Sequence, residues 1–405
     1  MIYRLLMALA LVSMAGCSGV VRNAMPDEAH RDATVLGRSD LRFWASEDFS
    51  PTWLKMMQIE PEEIRRTHPA IADTEHHYLA ISGGGANGAY GAGLLVGWSA
   101  LGTRPEFTMV TGISTGALTA PFAFLGEAYD EQLKEVYTTL DTASILEFGN
   151  VFNILRADAI TDVTPLRRTI ERYVTEDMIA DIAAEYRGGR TLLIGTTNLD
   201  ASEGMYWNIG RIANTGHAES LSLIREILRA SASIPGVFPP VYIKAQTPDG
   251  ETYDEMHVDG GTSTQMFLYP PRIDWEYMTK MLNVQGTPRA YLIRNSYLNT
   301  DYKPVKPRLG PILGRTIDSL IRTQGIGDAY RIHALAERDG VDVRLTWIPE
   351  GAINVTAEEA FDPNYMKALF EFGYQRALNG EPWLDVSDAL DSNSSQTLGY
   401  EGMKQ

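Results

Sequence analysis

The chain has 405 residues, 44% of them hydrophobic and 21% charged, with a formal net charge of −17. This is ordinary globular composition, sized for one large domain or two smaller ones. The acidic balance, with no run of basic residues, argues against a nucleic-acid partner, and it offers anionic lipid no global attraction, so membrane attachment needs a separate device.

The N-terminus supplies a candidate device. In MIYRLLMALALVSMAGCSGVV a single Arg4 precedes an apolar run from Leu5 to Val12, followed by small residues and Cys17. That run is too short to span a bilayer and has the charge-then-apolar order of a secretory signal, here residues 1–16. Cys17 is the only cysteine, so no disulfide can form within the chain. Met14-Ala15-Gly16-Cys17 resembles a bacterial lipobox, with Met14 where leucine is more usual. The resemblance implies cleavage before Cys17, acylation of its thiol, and stable anchoring by two or three chains in the cell envelope. Ser18, rather than Asp, in the next position implies the outer membrane, facing the periplasm. An ordinary signal peptide containing a cysteine is the simpler alternative.

Residues 17–75 read as a tether or extension, mixing charges with Pro26, Pro51, Pro61 and Pro69 and showing no sustained period. Phe43, Trp44, Phe49 and Trp53 suggest that part of it packs on the main body. A folded domain is expected over 76–384. Its strands are expected at YLAIS (78–82), FTMVTG (107–112), TLLIGTTNL (191–199), MYWNIG (205–210), VYIKAQ (241–246), YDEMHVDGG (253–261), RAYLIRNS (289–296) and VDVRLTWIP (341–349). Helical patterns fall at 88–101, 115–126, 165–186, 219–230, 312–337 and 364–379. Apolar runs alternating with helices predict an α/β fold with helices on both faces of a sheet. Residues 385–405 are polar and read as a poorly ordered tail.

Two glycine-rich stretches follow the first two main strands. In SGGGANGAYGAG (82–93), Gly83, Gly85 and Gly88 satisfy the G-x-G-x-x-G spacing of a dinucleotide fold. That fold also wants an acidic residue about 20 positions on, at the end of the next strand, and none stands there. Three consecutive glycines also suit a loop whose amides point into a cleft and hold a developing oxyanion. A tight strand-to-helix turn accounts for one or two glycines better than for three. The second stretch, Gly112-Ile113-Ser114-Thr115-Gly116, has a strand before it and a helix after it, as a nucleophile elbow requires. The helix start behind Ser114 adds positive potential and an amide.

A nucleophilic serine needs a base. His30, His68, His76 and His77 precede both glycine loops, His217 lies in a polar turn, and His333 in a charged helix. His333 would complete a Ser–Asp–His order if Asp259 were the acid; His257 lies in the same strand as Asp259. None is a strong candidate. Asp259-Gly260-Gly261 places an aspartate at a strand end, either as a plain Asp-Gly turn or as a group facing a cleft.

Together these motifs resemble the patatin-like phospholipases: a GGGxxG loop at 83–88, G-x-S-x-G at 112–116, D-G-G at 259–261, and a proline-rich block, ASASIPGVFPPV (230–241), between serine and aspartate. The resemblance covers roughly 78–300. It implies a three-layer α/β/α fold with a mainly parallel central sheet and a Ser114–Asp259 dyad cleaving lipid acyl esters through an acyl-enzyme. No histidine, metal or cofactor is implied. Gly83, Gly84, Gly85, Gly88 and Thr115 would form the oxyanion hole, with Gly112, Gly116, Gly260 and Gly261 as motif support. The chain departs from the family in having Ser82 at the loop's start, Asn87 where Arg or Lys is frequent, and Ala117 where glycine is frequent. Neutral esters and lysolipids are therefore as open as phospholipids. Two other readings stand beside this one: a Ser–Asp–His α/β-hydrolase, and a lipid-binding envelope lipoprotein with a degenerate site. The segments SLIREIL (222–228), AYRIHAL (329–335) and YMKALFEFGYQ (365–375) read either as an acyl groove or, more simply, as core.

Overall fold

The computed structural model describes residues 22–47, 58–145, 147–148, 161–162, 164–269, 273, 275–299, 302, 304–380 and 382–388. The signal segment with Cys17, the aromatics Phe49 and Trp53, and the tail beyond 388 lie outside the described residues.

Ten strands form one sheet: β1 (Arg42–Trp44), β2 (Glu75–Ile81), β3 (Met109–Ile113), β4 (Thr191–Asn198), β5 (Glu203–Asn208), β6 (Val241–Gln246), β7 (Thr252–Asp259), β8 (Gln285–Arg294), β9 (Asp342–Trp347) and β10 (Leu384–Asp385). The order along the sheet is β1-β5-β4-β3-β2-β8-β9-β10, and β7 pairs with both β4 and β6. From β4 to β9 the main path is parallel, and the flanking pairs are antiparallel. The apolar runs that announced these strands are continuous because both faces are covered. Along β2, Leu79 and Ile81 enter one core while Tyr78 and Ala80 enter the other; along β8, Tyr291 and Ile293 oppose Ala290 and Leu292.

One face carries α2 (Gly88–Ala100), α3 (Thr115–Leu125), α4 (Asp130–Thr139), α5 (Thr164–Tyr173), α6 (Glu176–Arg187), α8 (Ser220–Ser231) and α11 (Pro363–Leu378). The other carries α1 (Pro61–Thr67), α9 (Trp275–Met281) and the second half of α10 (Leu309–Asp339); α7 (Ile209–Ala213) follows β5. The architecture is three-layered, as expected. Gly93 serves helix packing rather than the loop before it. A Cβ on Gly93 would lie 1.9 Å from the Phe370 carbonyl oxygen, so α2 and α11 meet backbone to backbone.

The sequence reading did not contain β1, β10, α1, α7 or α9, and two further elements differ from it. The single helix expected over 165–186 is broken at Thr175, whose hydroxyl accepts from the Met178 amide at 3.3 Å and restarts the chain as α6. α4 went unread in DEQLKEVYTT, although Leu133, Val136 and Tyr137 stand at helical spacing. Within the N-terminal segment, β1 pairs with β5, and Ala33, Val35, Leu41 and Trp44 are buried in the first core. Arg42 there makes a buried ion pair with Glu255 of β7. Burial alone would raise the Glu255 carboxyl, but the Arg42 guanidinium and the bond to His257 outweigh it and hold it at about 2.

Candidate active site

The pairing along β4 brings the two sequence motifs together. β3 runs parallel to β4 and is paired only as far as Ile113 opposite Gly195. β7 takes up the same edge from the other direction, with Asp259 opposite Thr196. The two strands therefore meet end to end, and the residue after one faces the last residue of the other. Ser114 Oγ donates to Asp259 Oδ2 at 2.6 Å.

Both groups are held from several sides. Ser114 has φ +55° and ψ −124°, an unfavourable backbone for a residue with a side chain, of the kind found at functional turns. The flanking glycines make that turn possible by close approach: a Cβ on Gly112 would lie 2.4 Å from the Gly116 carbonyl oxygen, and one on Gly116 2.2 Å from that of Ile81. The Ser114 amide donates to Ser231 Oγ at 3.0 Å, and that hydroxyl donates to the Gly195 carbonyl at 2.6 Å. Asp259 accepts at Oδ1 from the Gly261 amide at 2.7 Å, and its own amide donates to the Ser233 carbonyl at 2.9 Å. Burial pushes the Asp259 carboxyl up to about 7, while the Ser114 hydroxyl and the Gly261 amide pull the other way. A carboxylate at that value is a far better proton acceptor near neutral pH than an exposed one.

The glycine loop flanks the pair. Gly83 passes close to Ser114, with only 3.1 Å between the serine Cβ and the position a Cβ on Gly83 would take. Gly84 is pressed on Asn295, where a Cβ would lie 2.1 Å from the backbone oxygen, and Gly85 has φ +56°. Asn295 clamps the loop: its amide donates to Ser82 Oγ at 2.9 Å, its Nδ2 to the Ser82 carbonyl at 3.1 Å, and its Oδ1 accepts from the Gly91 amide at 3.1 Å. Ser82, a departure from the family pattern, is thus the clamp's other half. Among the described residues the amides of Gly84 and Gly85 have no protein acceptor. Gly88 is different and corrects its expected place in the oxyanion hole. Its amide is turned back to Gly85 and Ala86, and its missing side chain lets Thr115 Oγ1 approach to 2.2 Å of where a Cβ would be. It is a packing glycine that lets the starts of α2 and α3 converge on the cleft, where both helix dipoles favour negative charge. Tyr137 of α4 fixes the first turn of α3 through Thr115 Oγ1 at 2.7 Å and Thr119 Oγ1 at 2.8 Å.

The histidines lie elsewhere in the bonding scheme. His257 is buried between Thr196 and Glu255, His217 accepts from the Glu219 amide in an exposed turn, and His333 sits near the charge of Asp385. Asn87 accepts from the Tyr365 hydroxyl at 2.8 Å, so the position that often carries positive charge instead ties the loop to α11.

From Ser114 an apolar cavity of about 820 Å³, open to solvent, extends between α3, α4, α5 and α8. Its walls include Leu118, Val136, Leu166, Ile170, Leu228 and Phe238, and its polar end is Gly85, Ser114 and Thr115. Apolar walls with a few polar groups at one end are the lining of a small-ligand or acyl-chain site. The segments weighed as groove or core divide accordingly: Leu228 and Met366 line the cavity, while Ala329 and Ile332 belong to the opposite core. Sequence reading missed Ser231, Asn295 and Tyr137 as positioning groups; the proline-rich block held the only signal for the first.

Ser231→Ala leaves the buried Ser114 amide without its acceptor, a loss of about 1–3 kcal/mol. If that loss falls on the elbow, kcat for a soluble ester drops about 10–100-fold with little change in KM. Steady-state kinetics on the folded variant would decide, and an unchanged kcat would mean that the elbow holds without Ser231.

Residues 79–269 match the family model described as patatin-like phospholipase. Among solved structures, VipD from Legionella pneumophila is 14% identical, with 79% of this chain and 67% of that chain covered and a TM-score of 0.36. The type III effector protein ExoU is 13% identical, with 80% of this chain and 58% of that chain covered and a TM-score of 0.22. No curated protein matches the chain.

Proposed function

We propose, from the premise that residues 79–269 are a patatin-like phospholipase domain, that this chain is a serine hydrolase of lipid acyl esters. The observation that carries the reading is the 2.6 Å bond from Ser114 Oγ to a buried Asp259 carboxylate. Its position at the polar end of an apolar cavity supplies the substrate class.

The steps follow from the residues. Asp259 Oδ2 accepts the Ser114 proton as Oγ bonds to the acyl carbon. The carbonyl oxygen becomes an oxyanion facing the Gly84 and Gly85 amides and the first amide of α3, at Thr115. Such donors are worth about 10²–10³ in rate each. Collapse breaks the ester bond, and the departing alcohol takes the proton from Asp259. Water then attacks the acyl-serine, gives its proton to the same carboxylate, and releases the fatty acid as Ser114 recovers its hydrogen. The acyl chain lies in the cavity throughout.

Leu228→Trp tests this placement by filling the cavity wall. The expected result is a fall of about tenfold or more in kcat/KM for long-chain esters, with acetyl esters close to wild type, consistent with the few kcal/mol that apolar pocket contacts contribute. Equal loss for both ester classes would place the acyl chain elsewhere.

A further inference from the structure

We propose that the projecting first half of α10, with the chain just before it, docks on an anionic lipid surface beside the Ser114 cleft. The proposal rests on the lipid-ester reading of that cleft. α10 has 31 residues, but only its second half is built into the protein, through Ala329, Ile332 and Ala336. Between 311 and 324 no described side chain is buried. This stretch of chain is also where exposed apolar side chains concentrate: Tyr302 is 93% exposed, Val305 42%, Ile312 47% and Leu320 65%. These are four of the ten large hydrophobic side chains exposed among the described residues, within a span of under 20 positions. Left in water, such a cluster is costly, and it marks a surface that something covers.

Charge selects what covers it. Residues 302–322 hold Lys303, Lys306, Arg308, Arg315 and Arg322 against Asp318 alone, a net +4 in a chain of net −17. Arg315 and Arg322 follow the N-cap Arg308 at seven-residue spacing along one side of the helix, with Ile312 beside them, while Ile317, Leu320 and Ile321 fall on the other. An apolar stripe backed by arginines is the pattern of a helix lying in a membrane interface, with its basic groups drawn to anionic headgroups. The rest of the acidic surface is repelled by such a bilayer, which orients the protein with this segment leading. No helix among the described residues is long and apolar enough to cross a membrane, so α10 lies on the surface rather than through it.

The position of the patch ties it to the chemistry. Where α10 enters the body, Asp328 Oδ2 accepts from Thr264 Oγ1 at 2.9 Å and from the Gln265 amide at 2.6 Å, just beyond the Asp259-Gly260-Gly261 turn. Gln265 in turn reaches Gln324 of α10 at 3.4 Å and lies against Gly83 of the glycine loop. Docking of the projecting half therefore presents this edge of the sheet, and the cleft in it, to lipid.

The test uses the full chain carrying Cys17→Ser, so that no acyl anchor forms there, with and without Ile312→Glu/Leu320→Glu. Flotation with phosphatidylglycerol-rich vesicles is expected to recover the parent protein and about tenfold less of the double variant. Hydrolysis of vesicle lipid falls in proportion, while hydrolysis of a water-soluble short-chain ester stays within about twofold. Lys306→Ala/Arg308→Ala is expected to weaken binding to these vesicles but not the weaker binding to phosphatidylcholine. Undiminished flotation of the double variant overturns the proposal. So does a parent protein that ignores vesicles and self-associates through the patch, dissociating when the glutamates are introduced. If neither protein hydrolyses any ester, the catalytic reading fails, and flotation still decides the docking.

Discussion

Ser114→Ala is expected to lower kcat/KM for a lipid ester by at least about 10⁴-fold while leaving a folded protein, the scale seen when a nucleophilic serine is removed. The argument is geometric. Ser114 Oγ is the group hydrogen-bonded to the buried carboxylate, with Gly83 of the glycine loop close beside it and α3 starting directly after it. Its backbone, at φ +55°, is a conformation that a side chain pays for at about 1–3 kcal/mol. Ser114→Gly is therefore expected to be as inactive as the alanine variant but more stable than it by roughly that amount, read by denaturant unfolding. A glycine variant no more stable than the alanine variant would mean that the elbow is unstrained.

Asp259→Asn carries the second large effect, with a definite sign in pH. If Asp259 is the base, only its ionised form takes the serine proton. Burial places its pKa at about 7, so kcat/KM of the wild type should rise with pH through about 7 and level off above it. The asparagine variant is expected to lose about 10³–10⁴ in kcat and to lose that pH step. Stability runs the opposite way. A carboxyl whose folded pKa lies above its ordinary value favours the folded state while it is protonated, and that contribution is lost as pH rises through about 7. Asp259→Asn should consequently exceed the wild type in stability at pH 8, by an amount on the order of a few kcal/mol, and show no such advantage at pH 4. A group that costs stability where it is needed for reaction is the expected trade at an active site.

Strands and both glycine turns were readable from the sequence for a physical reason. Parallel strands covered on both faces become unbroken apolar runs, and backbone approaches as close as those at Gly84, Gly112 and Gly116 admit only glycine. The motif order carried Asp259 as well. What no spacing carried was how it reaches Ser114: β7 must enter antiparallel on the same edge of β4 that β3 leaves at Ile113. α4 escaped because its apolar positions are sparse among charges, and with it went Tyr137. Asn87 appeared in the sequence only as a missing charge, whereas the fold gives it a tie to Tyr365. Gly88 shows the converse error, since the GGGxxG spacing groups it with the loop amides while its own amide turns back into the helix start. The basic stripe of α10 was invisible as a run because its arginines stand seven residues apart.

The central claim is that Ser114 is a nucleophile activated by Asp259. The most direct measurement is labelling of the folded chain with a fluorophosphonate, followed across pH and mapped by mass spectrometry, with Ser114→Ala and Asp259→Asn alongside. The account predicts a single adduct on Ser114, forming faster as pH rises through about 7, absent in Ser114→Ala and strongly slowed in Asp259→Asn. An adduct on another residue, or labelling of Asp259→Asn at the wild-type rate, would contradict it.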